Sequence, residues 1–125
     1  MVEEKYPNLV IDVGTGTLKA GFATDDAPKY NIPTVVGIPD KTKGLLVGMD
    51  QKEEYVGLEA LDKAALLDMF YPVERGVITN MDKVKMILNH LVTTEMSISF
   101  DEHAVMMTEP PGNPKKVREE TVQMM

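Results

Sequence analysis

The chain of 125 residues has no cysteine and no tryptophan, only two histidines, and few aromatic rings. Without cysteine there are no disulfides and no thiolate metal sites, a composition that fits a reducing compartment. Basic residues are scarce relative to acidic ones, 13 against 20, for a net charge of −7. That excludes the basic footprint of a direct nucleic-acid binder. No apolar run approaches the roughly 20 residues of a membrane span, so no membrane insertion is expected. The opening MVEEKYPN has neither the basic nor the apolar region of a secretory signal. Repeats and low-complexity segments are also missing. What remains suits one domain with a real core, its gaps filled by ten methionines.

The stretch that organises the rest is residues 9–22, LVIDVGTGTLKAGF. Leu9, Val10 and Ile11 read as a buried strand ended by Asp12. Gly14, Thr15 and Gly16 make a tight turn, and residues 18–22 resume an apolar strand with Lys19 as its only charge. Turns of this kind present backbone N–H groups to one side, which is how proteins cradle phosphate. A lone carboxylate at such a mouth can hold a hydrated Mg²⁺, because that ion keeps its waters and uses few protein oxygens. On composition alone, a plain hairpin turn and a solvated lysine explain the same residues.

Downstream, residues 24–28 are turn chemistry. Residues 30–38 read as one edge strand bent at Pro33 and Gly37. Residues 44–49, GLLVGM, read equally as a buried strand or as an exposed loop whose apolar tip marks a contact surface. The spacing of Leu58, Leu61, Ala64, Ala65 and Leu66 predicts a helix over 57–69 with these residues buried. Residues 76–79 are a short strand or turn. Asn80 caps a helix expected over 81–93, with Met81, Val84, Ile87, Leu88, Leu91 and Val92 on its apolar stripe. Residues 103–108 read as a buried strand. Asn113 is expected to cap a last helix with Pro114 at its first position. That helix lacks a stop signal at Met125, so the chain reads as a piece of something longer. His90 and His103 have no ligand spacing between them and read as structural.

Five segments together resemble actin and the actin-related proteins. They are LVIDVGTGTLKAGFATDDAP, IPTVVGIP, GLLVGMDQKEEYVGLEAL, YPVERGVITN and DEHAVMMTEPPGNPKKVRE, in the family's order and near its spacing. The resemblance implies a ribonuclease-H-like α/β fold, shared with sugar kinases and heat-shock chaperones. It implies an incomplete first ATPase lobe from residues 1–33 and 71–125, and a small inserted lobe at 34–70 carrying a subunit-contact loop at 40–53. It also implies binding of Mg-ATP or Mg-ADP. Asp12 would hold Mg²⁺ through water, and Gly14, Thr15, Gly16, Thr17 and Lys19 would meet the phosphates. Lys43, Gly44, Leu45, Leu46, Val47, Gly48 and Met49 would insert into a neighbouring subunit.

Several positions depart from that pattern. Val13 stands where conventional actins carry a polar amide, which puts one phosphate-side contact in question. Arg75 replaces the histidine of the YPxEHG motif, a position close to phosphate release. The contact loop has one extra residue and the added charges of Lys41 and Lys43. The residues that position the attacking water and the second phosphate hairpin are not in this chain, so no catalytic residue is expected here. Alone it should be an inactive ATPase that binds nucleotide weakly. Two functions follow: the N-terminal portion of a filament-forming cytoskeletal protein, or a divergent actin-related adaptor in a ciliary-motor or chromatin complex. Partners are then other actin-like subunits and actin-binding or scaffold proteins. The cytoplasm and cytoskeleton are the expected location, with nucleus or cilium for an adaptor.

Overall fold

The computed structural model describes residues 7–39, 54–99 and 103–124. The alternating apolar pattern at the start folds as a hairpin of β1 (Leu9–Val13) and β2 (Thr17–Phe22), in register from Leu9↔Phe22 to Val13↔Leu18. Side chains alternate across a strand. Leu9, Ile11, Val13, Leu18 and Ala20 therefore face the core, while Asp12 and Lys19 face out. The following turn is tied by Asp25, whose carboxylate accepts from the Phe22 N–H at 3.0 Å and pairs with Lys29 at 3.4 Å. The backbone hydrogen bond from Phe22, aided by Lys29, holds the Asp25 carboxyl below its ordinary range.

The expected single edge strand over 30–38 is instead two strands in two sheets. β3 (Tyr30–Pro33) pairs antiparallel with β2, and β4 (Val36–Pro39) lies at the centre of a second sheet. The break falls at Thr34. Its N–H donates to the Gly16 carbonyl at 3.0 Å and its buried hydroxyl donates to the Gly14 carbonyl at 2.9 Å. Those two bonds turn the chain back toward the hairpin tip and away from β2.

The helix expected over 57–69 is also cut short. β5 (Tyr55–Val56) is followed by α1 (Leu58–Asp62), a single 3₁₀ turn at Ala64–Leu66, and β6 (Leu67–Phe70). β6 pairs antiparallel with β4 from Val36↔Phe70 to Pro39↔Leu67. Leu67 is fully buried over Gly37, where a Cβ would lie 2.5 Å from the Leu67 Cδ1. Burying Leu67 against β4 outweighs the helical spacing. Leu58 and Leu61, expected inside, are 65% and 42% exposed. This sheet, ordered β5-β4-β6, has its own small core of Val35, Tyr55, Ala60 and Leu67. Val36 and Val56 belong to the main core. Residues 40–53, with the whole of the GLLVGM segment, lie outside the described residues.

β7 (Val73–Glu74) and β8 (Val77–Ile78) form a second, two-stranded hairpin. α2 (Met81–His90) follows, its Asn80 cap accepting from the Lys83 N–H at 3.3 Å. Val84, Ile87, Leu88, Leu91 and Val92 are buried, as their spacing predicts, and pack in one cluster with Leu9, Ile11, Val13, Leu18 and Ala20, whereas Met81 at the start of the same stripe is only half-buried. Each such side chain contributes about 1.5–3 kcal/mol when fully buried, so this layer is the main source of stability. The last turn, Leu91–Glu95, widens to a π-helix.

β9 (Val105–Met107) runs parallel to β1 and completes the order β3-β2-β1-β9. It is not fully buried as expected. Val105 and Met107 face the core, whereas Met106 is 66% exposed on the outer face. α3 (Lys115–Met124) starts one residue later than anticipated, with the Pro114 carbonyl accepting from the Arg118 N–H at 3.1 Å. Asn113 does not cap it: its Oδ1 accepts no hydrogen bond from the helix, while its Nδ2 donates to Glu109 at 3.4 Å.

The close fit of Leu67 over Gly37 is testable. Gly37→Ala should lower stability by about 1–3 kcal/mol in urea unfolding, the usual range for overpacking a tight site. Adding Leu67→Ala should give a double variant less destabilised than the sum of the single changes.

Candidate functional site

The hairpin tip is built from four residues. Val13 and Leu18 are the last cross-strand pair, and the Gly14 N–H donates to the Thr17 carbonyl at 3.2 Å, leaving Thr15 and Gly16 at the apex. A Cβ on Gly14 would sit 2.6 Å from that carbonyl oxygen, so the turn closes only with glycine there. Gly16 has open space on its Cβ side. The carbonyls of Gly14 and Gly16 are both taken by Thr34. The N–H groups of Thr15 and Gly16 donate to nothing among the described residues. The apex therefore keeps two N–H donors without a partner among the described residues, while the carbonyls on either side of Thr15 are engaged by Thr34.

Asp12 and Lys19 are directly opposed across the hairpin, on its exposed face. The Thr108 hydroxyl, just past β9, donates to Asp12 Oδ1 at 2.7 Å, and the Thr108 N–H donates to the Ile11 carbonyl at 3.1 Å. One carboxylate oxygen is thereby oriented, and the other has no partner among the described residues. Lys19 makes no ion pair with a described residue. No group of three His, Cys, Asp or Glu converges among the described residues, so Asp12 is a lone acidic ligand candidate.

The second hairpin meets this apex. Arg75 and Gly76, at φ 51° and 81°, form its two-residue turn with both residues left-handed, as a type I′ turn requires. The Gly76 N–H donates to Thr15 Oγ1 at 2.8 Å. Thr15 keeps its hydroxyl hydrogen for another acceptor.

With this geometry in view, comparison with known families is decisive: a model of the actin family matches residues 3–125. The chain belongs to the actin family. Its mixed sheet and flanking helices are accordingly the α/β fold of the actin superfamily, in the ribonuclease-H-like class. No helix among the described residues is long and apolar enough to cross a membrane.

Within this actin-family chain, the structure gathers Asp12, Gly14, Thr15, Gly16, Thr17 and Lys19 in one hairpin, Asp12 and Lys19 on one face of it. Lys43, Gly44, Leu45, Leu46, Val47, Gly48 and Met49 lie outside the described residues. Val13 does not share the face of Asp12. Its side chain turns into the core, at the edge of a cleft of about 310 Å³ under α3 that Gly76, Met107 and Val117 also line. The two histidines are held apart. His90 contacts Glu95 at 3.3 Å. His103 Nδ1 lies 2.8 Å from the Pro7 carbonyl and packs its ring on Phe22.

Three site residues escape sequence reasoning. Thr34 reads as one more β-branched residue in an apolar run, and Thr108 as the end of a strand. Gly76 carried only a weak signal, since a glycine between short apolar runs fits a two-residue hairpin but Arg-Gly is not one of the favoured turn pairs.

Arg75 is a poor occupant of a left-handed position, which costs a non-glycine residue about 1–2 kcal/mol and is eased for asparagine. Arg75→Asn should therefore stabilise the protein by about 0.5–1 kcal/mol, read as a raised midpoint of thermal unfolding. An unchanged or lowered midpoint would mean that the arginine side chain contributes a compensating contact.

Proposed function

We propose that this chain forms the phosphate-binding part of an actin-type nucleotide clamp and belongs to a filament-forming cytoskeletal protein. The observation that carries this reading is the placement of Asp12 and Lys19 side by side on the exposed face of a hairpin whose apex has two N–H donors without a partner among the described residues. The chemistry of these groups fits Mg-ATP or Mg-ADP. A single carboxylate with one free oxygen suits a cation that retains most of its water. Gly16 leaves room where a side chain would otherwise project.

In this reading the ammonium of Lys19 makes charge-assisted hydrogen bonds to the β- and γ-phosphates. The N–H groups of Thr15 and Gly16, with the Thr15 hydroxyl, bind the same oxygens. Gly14 and Thr17 close the turn beneath them. Asp12 reaches the metal through water, its orientation set by Thr108. Bound Mg²⁺ supplies neutralisation of phosphate charge. No residue of this chain is assigned to activating the attacking water, so we assign it binding and not turnover. Residues 34–70 form the inserted lobe, and residues 43–49 the loop that seats in a neighbouring actin-like subunit. Cytoskeletal location follows from that assembly.

A second reading is a divergent actin-related protein that serves as an adaptor subunit in a larger complex. What favours it is Arg75, a permanently charged residue in a strained turn bonded directly to the apex. Such a change alters how the clamp responds to its ligand without removing it.

In the whole protein, Asp12→Ala and Lys19→Ala should each weaken Mg-ATP binding by about tenfold or more, the effect of losing one charged hydrogen bond of roughly 1.5–3 kcal/mol. Isothermal calorimetry reads this directly, and unchanged affinity in both variants would remove the clamp assignment. Leu46→Asp should raise the critical concentration for self-association in sedimentation assays while leaving nucleotide affinity intact. Unaltered assembly would favour the adaptor reading.

A further inference from the structure

The end of α2 carries a feature that nucleotide binding does not use. The Met96 N–H donates to the Leu91 carbonyl, five residues back, at 2.8 Å, and the Ile98 N–H donates to the Val92 carbonyl at 2.8 Å. π turns are rare, and they concentrate where a protein needs a local departure from α geometry. At 3.6 residues per turn, positions five apart lie about 140° from each other and do not meet. The wider turn brings them to one face. His90 Nε2 and Glu95 Oε1, the two side chains that bracket the turn, lie 3.3 Å apart. Leu91, Val92 and Met96 anchor the opposite side in the core. Between them the Thr93 hydroxyl donates to the Asn89 carbonyl at 2.6 Å, a back-bond that bends helices.

The ring of His90 stands between two grooves. Among the described residues, Glu54 ahead of β5, Glu59 of α1, and Lys29 and Tyr30 at the start of β3 line them. Glu59 is bridged to Lys63 at 3.4 Å. Glu95 is the carboxylate in direct contact with the imidazole. Both members of the pair are partly open to solvent, the His90 side chain at 24% and Glu95 at 45%.

We propose that His90 and Glu95 form a proton-operated clamp on the π turn. The charged ring holds Glu95 through a charge-assisted hydrogen bond and keeps the turn closed. The neutral ring keeps at most an ordinary hydrogen bond, so residues 91–98 open more often as the pH rises. Imidazole is the side chain that ordinarily changes charge between pH 5 and 8. The sign is therefore fixed: the closed turn is favoured at low pH and loosened at high pH. Because Ile98 is bonded across the turn, loosening it also frees residues 96–98.

Amide hydrogen exchange on the complete chain tests this. After correction for intrinsic rates, the Met96 and Ile98 amides should be about threefold better protected at pH 5.5 than at pH 8. That is the scale of a half-exposed ion pair. The Val84 amide, in the middle of α2, should show no such difference. His90→Gln and Glu95→Gln should each abolish the pH dependence, the second while keeping a hydrogen-bonding side chain of the same size. Equal protection at both pH values in the unaltered protein overturns the clamp. So does a pH dependence that survives in either variant.

Discussion

Thr34 is the residue on which the architecture turns. Its backbone N–H and its hydroxyl both bond to the apex of the first hairpin, and its side chain is buried. Buried polar groups are costly unless paired, and each bond made here is worth on the order of 1 kcal/mol net. The consequences exceed that figure. The two bonds engage the carbonyls of Gly14 and Gly16, and the N–H groups of Thr15 and Gly16 are left without a partner among the described residues. They also redirect the chain from the first sheet into the second, which sets where β4 begins. A single threonine thus shapes both the candidate phosphate cradle and the boundary between two sheets.

The main layer obeys simple burial rules. The inward residues of β1 and β2 pack on the stripe of α2, and the polar residues of the same strands are turned out together. Strict alternation along a strand makes this automatic. Once Leu9, Ile11 and Val13 face the core, Asp12 faces away, and the antiparallel register places Lys19 beside it. The juxtaposition of Asp12 and Lys19 is in this sense a by-product of core packing. The same logic explains the departure at position 13. A valine there is at home in the core, and its presence changes the edge of the cleft under α3 and not the face that carries the carboxylate.

The parts legible in the sequence are those with strong local signals. The first hairpin announces itself through an apolar run, a glycine turn and a second apolar run. α2 does so through a cap and a long regular stripe. The family motifs add identity that no periodicity contains. The failures have a common cause, which is contact between distant residues. Leu58, Leu61 and Leu66 have helical spacing, yet the strand pairing of residues 67–70 with β4, and the seat Gly37 makes for Leu67, decide the outcome. Residues 30–38 look like one strand because the bonds that break it reach back to positions 14 and 16. The wide turn at the end of α2 has no pattern of its own, since residues 91 and 92 continue the stripe.

The parallel pairing of β9 with β1 has a consequence in time. The carboxylate of Asp12 and the hydroxyl of Thr108 that orients it are 96 positions apart in the chain, as are His103 and the Pro7 carbonyl. At ordinary elongation rates, about 5–20 residues per second, the hairpin waits roughly 5–20 s on the ribosome for its partner strand. It can pair with itself as soon as it emerges, because its contacts are local. The docking of β9 is the opposite case, a long-range parallel pairing of the kind that folds slowly. Newly made protein thus passes through a period in which the Asp12 carboxylate lacks its orienting hydroxyl and the edge of β1 lacks its parallel partner.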